Sequence, residues 1–200
     1  AYISSLSHFL KKQINFNKKT KILDIGCGRG KIISNLSKKY HMSNLPLGID
    51  IVKHKDMTKR IRFTKTNALK YLEKTKEKFD VILFKQSIHF FNYLEIKKIL
   101  TFSKNNLAPK GKILILALHP KKNNWPVFKI FKLKLINSLK KDKLILNLIK
   151  SRFKNYKINY FNFEVKIKRD LYLKMIKSRF NSCLLSISSK EIKNGIEEIK

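Results

Sequence analysis

An apolar run that ends in an acid and is followed by three glycines at every second position dominates this chain: Ile22-Leu-Asp24-Ile-Gly26-Cys-Gly28-Arg-Gly30. Few folds accommodate it. Residues 21–25 read as a buried strand. The glycines mark a sharp turn from strand into helix, because they permit backbone angles and close approaches that a Cβ forbids. The next segment, 31–40, carries Ile32, Ile33 and Leu36 at helical spacing. Backbone N–H groups at the start of that helix are expected to point at a small ligand.

The pattern continues downstream. Residues 2–13 read as a short amphipathic helix. Strands are expected at 45–50 (LPLGID, again ending in an acid), at 62–66 and at 79–84 (FDVILF). A helix is expected at 93–106, where Leu94, Ile96, Ile99, Leu100 and Phe102 are apolar. LAPKGK reads as a turn, and 112–118 (KILILAL) as another buried strand. Strands alternating with helices predict an α/β fold: a Rossmann-like, doubly wound, mostly parallel sheet with helices on both faces. Ligands of such sheets gather at the carboxyl ends of the strands, near the point where strand order reverses. Asp24, Asp50, Asn67 and Lys85 fall at or just past strand ends and are expected in one crevice.

After residue 118 the pattern changes. Residues 121–155 read as helical and strongly basic, with Asp142 the single acid. Residues 156–167 (YKINYFNFEVKI) alternate like a strand with one wet face. A helix at 170–180 is expected to be capped by Asp170. A last helix starts at Ser188 or Ser189, with Glu191 in its first turn. The expected organisation is a ligand-binding core at 1–120 and a helical and strand-containing cap at 121–200 that completes the same domain. The chain opens on Ala1 and stops at the end of a helix, so both ends read as cut.

Composition excludes some functions. The chain has 200 residues, enough for one domain with a sizeable core. Nothing reads as a membrane span or a signal peptide. Two cysteines, Cys27 and Cys183, give neither a disulfide framework nor metal-ligand spacing, and read as reduced in a cytoplasmic setting. The net charge of +33 suggests nucleic acid. However, 40 of the 46 basic residues are lysine, Ile and Asn are abundant, and Gly and Pro are scarce. That pattern follows from AT-rich coding. The charge is also even along the chain, +15 over residues 1–100 and +18 over 101–200, whereas a nucleic-acid tail is lopsided. Non-specific polyanion affinity is expected either way.

The glycine spacing narrows the ligand. A dinucleotide turn is G-x-G-x-x-G and seats pyrophosphate. Here the spacing is G-x-G-x-G, with an acid two residues before the first glycine, which suits a cationic ligand. Asp50 fits the acid that grips ribose hydroxyls about 20 residues on, a feature shared by all ligands that carry adenosine.

ILDIGCGRGK resembles the first motif of class I S-adenosylmethionine-dependent methyltransferases. The resemblance continues in order through GID at 48–50, TNAL at 66–69, FDVILFKQSIHFF at 79–91 and LAPKGKILIL at 107–116, and covers residues 20–118. SIHFF resembles the small-molecule branch. The stretch RDLYLKMIKSRFNSCLLSISSKEIKNGIEEI resembles the tails of trans-aconitate-type relatives.

The resemblance implies S-adenosyl-L-methionine as cofactor, S-adenosyl-L-homocysteine as product and a small-molecule acceptor, a carboxylate among the candidates. It implies that Gly26, Gly28 and Gly30 line the methionine and ribose, with Cys27 inside the turn. Asp24 would hold the ammonium group, Asp50 both ribose hydroxyls, and Ile51 the adenine face. Asn67, in place of the usual aspartate, would accept from the adenine amino group through its carbonyl oxygen. Ala68 would offer its N–H. Lys85 and Gln86 would face the methionine and the acceptor. Lys85 is unusual beside a sulfonium; it either points outward or holds a carboxylate.

Methyl transfer needs alignment, and a base only where the nucleophile must lose a proton. His89 is the base candidate, against a packing histidine in SIHFF. His8 and His119 are further candidates for the same mouth. Arg179, Tyr172 and Trp125 are candidate acceptor contacts, with Arg179 able to pair with a carboxylate, against surface or packing roles. The 121–155 segment reads as a substrate cap or as a basic surface for lipid or RNA. Two other functions stay open: an RNA or protein methyltransferase, although KQSI stands where an amino-directed nucleic-acid methylase has its N-x-P-Y/F tetrapeptide, and a cofactor-binding domain without turnover. A dehydrogenase is disfavoured by the glycine spacing.

Overall fold

Five short apolar runs become the strands of one sheet in the computed structural model, which describes residues 2–118 and 125–199. They are β1 (Ile22–Ile25), β2 (Leu47–Asp50), β3 (Arg62–Lys65), β4 (Phe79–Lys85) and β5 (Leu107–Leu116), all parallel, in the order β3-β2-β1-β4-β5. Every residue of β1 is buried, as a central strand covered on both faces requires. β3 lies at an edge, and its residues are mostly exposed, with Arg62 and Lys65 at its ends. The order reverses between β1 and β4, so the carboxyl ends of those two strands flank the switch point.

The chain divides into two compact units, Ala1–Ala117 with Lys157–Phe163, and Leu118–Tyr156 with Glu164–Lys200. In the first, α1 (Tyr2–Lys11) packs with α2 (Lys31–Lys39), and α3 (Ala68–Lys74) with α4 (Tyr93–Asn105). Leu6, Leu10, Ile22, Ile33, Leu36, Val81 and Leu83 form the layer between α1, α2 and the sheet. In the second unit, α5 (Lys129–Arg152), α6 (Arg169–Lys177) and α7 (Ser189–Ile199) surround Phe128, Phe131, Ile176, Leu184, Ile187, Ile192 and Ile196. The expected acid at the start of α7 works as a capping box: Ser188 N–H and Oγ donate to Glu191 Oε2 at 2.8 and 2.7 Å, and Glu191 N–H returns to Ser188 Oγ at 3.2 Å.

Several local expectations are corrected. Residues 156–167 form no strand. The alternation is present, but a strand exists only where a partner takes its N–H and C=O groups, and this segment has no ladder in the structure. Its aromatic residues dock instead, with Phe161 5.2 Å from Phe9 between ring centroids, and Asn159 donates to Gln13 Oε1 at 2.9 Å. The LAPKGK turn lies within β5. Phe79 pairs with Leu107 and Val81 with Lys112, so four residues of β5 bulge opposite one of β4, with Lys110 at φ +64°. Lys168, not Asp170, occupies the N-cap position of α6, without a side-chain cap bond, and Asp170 sits in its first turn, where a negative charge still favours the helix. α3 had no clear apolar stripe to announce it. Asn67 starts it, accepting from Leu69 N–H at 2.8 Å and Lys70 N–H at 3.2 Å.

Candidate functional site

The glycine turn carries three left-handed residues, Gly26 at φ +72°, Gly28 at +54° and Gly30 at +68°. They are required for different reasons. A Cβ on Gly26 would lie 2.5 Å from Ser87 Cβ, while one on Gly28 would meet nothing within 4 Å. Gly26 is therefore fixed by protein packing, and Gly28 presents bare backbone to open space.

The N–H groups of the turn itself are engaged internally. Gly26 and Cys27 donate to Ile49 O at 2.9 and 3.2 Å, Gly30 donates to Cys27 O at 2.9 Å, and Gly28 donates to Asp50 Oδ2 at 2.9 Å. These bonds belong to the turn itself; the donors expected to point at a ligand are the first N–H groups of α2, which begins at Lys31.

Two carboxylates face the turn. Asp50 ends β2 and takes Val52 N–H on Oδ1 at 3.1 Å as well as Gly28 N–H on Oδ2. Each oxygen keeps a lone pair, so the group can still accept from a pair of hydroxyls. Asp24 lies in β1, 3 % exposed, and its Oδ1 has no hydrogen-bond partner among the described residues. Burial pushes its carboxyl up to about 7; nearby Lys85 opposes this and Asp50 adds to it. A buried carboxylate oxygen without a donor, next to a second carboxylate, is suited to an incoming cation.

Lys85 ends β4. Asp24 pairs with Leu83, so Lys85, two residues further on, projects from the same face of the sheet. Its Nζ donates to Gln86 Oε1 at 3.2 Å and lies 5.5 Å from the ring centroid of Tyr2. Burial pulls its ammonium below the usual lysine range, with Asp24 acting against the shift. Gln86 is left-handed at φ +54°. Ser87 is buried and donates to Ile25 O, locking the end of β4 to the end of β1.

The remaining candidates of the first unit take quieter places. Burial, with Asp24 and Asp50 adding, pushes the Cys27 thiol up to about 12, so it is no thiolate nucleophile. Ile51 is exposed, and Ala68 is buried at the start of α3. Both lone pairs of Asn67 Oδ1 serve the α3 cap, so the expected acceptance from an adenine amino group is replaced by an amide that can only donate. His89 stands on a 3₁₀ turn (Ile88–Phe90), its ring 4.4 Å from that of Phe90. His8 lies on α1 and is exposed, while His119 lies outside the described residues.

The second unit engages its three candidates internally. Arg179 donates through Nη1 to Leu184 O and Ile187 O, and through Nη2 to Ser189 Oγ at 3.4 Å. Tyr172 Oη donates to Pro126 O at 2.9 Å, and Trp125 packs on Phe180 at 5.9 Å. The carboxylate-pairing role expected for Arg179 meets a guanidinium that already closes a loop.

Sequence reasoning missed Tyr2 and Ser87. Ser87 follows Lys85 and Gln86 directly and carries a weak positional signal. Tyr2 carries none, because its contact with Lys85 spans the sequence. A cavity of about 330 Å³ lined by Ile22, Arg62 and Phe79 lies at the amino ends of β1, β3 and β4, the opposite end of the sheet from this cluster.

Residues 16–124 match the family model described as methyltransferase domain. Among solved structures the chain is similar to a SAM-dependent methyltransferase from Archaeoglobus fulgidus, at 20% identity and TM-score 0.56, over 98% of this chain and 86% of that one. It is also similar to a SAM-dependent methyltransferase from Thiobacillus denitrificans in complex with S-adenosyl-L-homocysteine, at 18% identity and TM-score 0.45, over 55% of this chain and 46% of that one. A third likeness is to a SAM-bound amino pentose methyltransferase from Micromonospora echinaspora, at 13% identity and TM-score 0.48, over 59% and 50%. The chain spans about half the length of these last two proteins. Comparison with curated proteins finds no match.

Proposed function

The chain belongs to the methyltransferase-domain family, and from that premise we propose that it uses S-adenosylmethionine to methylate a small molecule, releasing S-adenosylhomocysteine. The observation that carries the reading is the buried, unpartnered Oδ1 of Asp24 beside the half-free carboxylate of Asp50 at the glycine turn. One group asks for a cation and the other for a pair of hydroxyls. The cofactor has an ammonium and a ribose, and supplies a methyl group already activated by a positive sulfur.

The chain's own work is then binding and alignment. Asp24 would hold the ammonium, and Asp50 the ribose hydroxyls from an orientation fixed by Gly28 and Val52 N–H groups. Gly28 would let the ligand approach bare backbone, and Ile51 would cover one face of the base. Alignment of this kind lowers a barrier by up to about 7–11 kcal/mol. His89 is the side chain near the strand ends that could take a proton from a neutral acceptor. No described helix is long and apolar enough to cross a membrane. The net charge of +33 adds salt-sensitive, non-specific polyanion affinity.

Calorimetric titration tests the reading, with S-adenosylmethionine as ligand, NADH as control and Asp50→Ala as variant. The expected result is micromolar binding of the first ligand alone, weakened about 100-fold in the variant by loss of two charge-assisted hydrogen bonds. Equal binding of NADH, or no binding of S-adenosylmethionine, would overturn it.

A further inference from the structure

Lys85 is a cation placed where the proposed cofactor brings positive charge of its own, and the structure shows where the lysine is directed. Among the described residues its Nζ makes one hydrogen bond, to Gln86 Oε1, and none to Asp24, whose Oδ1 stays unpartnered. An ammonium has three N–H groups, so two remain for a ligand. The Nζ lies over the ring of Tyr2. Tyr2 in turn packs edge-on against Phe163, centroids 5.2 Å apart, and lies 6.1 Å from Phe161. Phe161 and Phe163 stack at 6.2 Å with an interplanar angle of 22°. All four residues belong to the first unit. Asp24 and Lys85 share one face of the sheet and one end of it. The lysine therefore has the carboxylate assigned to the cofactor's ammonium on its own sheet face and, over its other side, the Tyr2 ring, through which it adjoins the Phe161–Phe163 pair.

We propose that the methyl acceptor is a small planar anion, with Lys85 as the counter-ion of its charged head and Tyr2, Phe161 and Phe163 as the wall for its apolar body. This rests on the S-adenosylmethionine reading above. It resolves the anomaly of a lysine beside a sulfonium: an anionic acceptor neutralises Lys85 as it arrives, so the two substrates assist each other's binding. The reaction balances without a base. The acceptor's anionic oxygen forms its bond to the methyl carbon as the carbon–sulfur bond breaks, leaving the electron pair on sulfur, and there is no proton to remove.

The test is calorimetric and needs no turnover. Wild type, Lys85→Met and Lys85→Arg are titrated separately with S-adenosylmethionine and with S-adenosylhomocysteine, which lacks the positive sulfur. Wild type and Lys85→Met are then titrated with S-adenosylmethionine in benzoate replacing chloride at equal ionic strength. Lys85→Met is expected to raise the affinity for S-adenosylmethionine relative to S-adenosylhomocysteine about ten-fold, because only the former loses a charge repulsion, whereas the further rise of the Asp24 carboxyl on losing Lys85 acts on both ligands alike. Lys85→Arg should match wild type. Benzoate should tighten S-adenosylmethionine on wild type and leave Lys85→Met unchanged. Binding of the homocysteine ligand shows that the variant is folded, and Lys85→Gln replaces it if it is not.

An unchanged ratio between the two ligands in Lys85→Met would overturn the proposal. So would equal weakening of both, which would assign Lys85 to the cofactor's own carboxylate. Benzoate without effect on wild type would overturn the anionic acceptor. Failure of both ligands on wild type would remove the cofactor reading and this proposal with it, a result distinct from the other three.

Discussion

The site candidates of the two units use their polar side chains in opposite ways. At the strand ends of the first, Asp24 keeps a buried oxygen without a donor, Asp50 keeps accepting capacity and Lys85 keeps N–H groups. In the second, Arg179 serves three acceptors, Tyr172 one, and Ser188 and Glu191 close on each other. Unmet hydrogen-bonding capacity inside a protein is costly; among the described residues Ser37, Ser103 and, in the second unit, Asp142 also keep a buried oxygen without a partner, so it marks a site at Asp24 because a second carboxylate and the glycine turn converge there. The candidate side chains thus separate into those that keep unused capacity at the strand ends and those whose partners are already in place. A charged residue in a divergent tail is a weak site candidate when its partners are already present.

The largest effect expected from this contrast is at the glycine turn. Gly26→Ala meets Ser87 and a left-handed backbone together, and should lower stability by about 4 kcal/mol. Gly28→Ala meets the backbone strain alone, about 1 kcal/mol, and should lose cofactor affinity instead. Chemical denaturation and calorimetry on the pair separate packing from ligand approach. Equal stability losses would break the distinction.

Next comes Asp24→Asn. The Asp24 carboxyl rises from its ordinary 3.8 to about 7 in the folded chain, mainly through burial. The folded state therefore favours the protonated form. The penalty fades below the ordinary 3.8, where both states become protonated, grows as pH rises from there to about 7, and is complete above that. Asp24→Asn should be more stable than wild type by about 4 kcal/mol at pH 8 and close to it near pH 3. Cofactor affinity of the wild type should rise as pH passes through about 7, and the variant should lose that dependence. A pH-independent stability difference would show that Asp24 is paired in the free chain.

The opposite pattern is expected for Arg179→Met. Its guanidinium leaves behind the carbonyls of Leu184 and Ile187, two buried residues, so stability should fall by about 2 kcal/mol. Affinity for S-adenosylmethionine should not change. Loss of turnover with unchanged stability would instead return Arg179 to the acceptor site.

The parts of this contrast that were legible in the sequence are the local ones. An apolar run, an acid and spaced glycines encode a strand, its end and a turn within nine residues, and β1, β2, β4 and α4 follow from runs of similar length. What was not legible is non-local. The alternation at 156–167 is real, but whether a partner edge exists is decided elsewhere in the chain. LAPKGK has turn residues, yet its flanks pair with β4, so it becomes a bulge. Asp24 is recognisable as a strand-end acid, while its missing donor depends on where Lys85 from residue 85 and Tyr2 from residue 2 come to rest. Arg179 reads as a free cation until the carbonyls of the following loop are placed around it.

The smallest expected effect tests the one position where a site role and a structural role share a side chain. Asn67 Oδ1 holds the N-terminus of α3 through Leu69 and Lys70 N–H groups. Asn67→Asp keeps both bonds and adds a negative charge where the helix dipole favours one, so stability should rise by about 0.5 kcal/mol at low salt and lose that gain at high salt. If Asn67 acts only as a cap, S-adenosylmethionine affinity stays within about two-fold. If the aspartate also accepts from the ligand's amino group with its second oxygen, affinity rises several-fold while stability changes as before. Thermal unfolding and calorimetry on one variant therefore tell whether the rim of this site ends at Asp50 or extends to the start of α3.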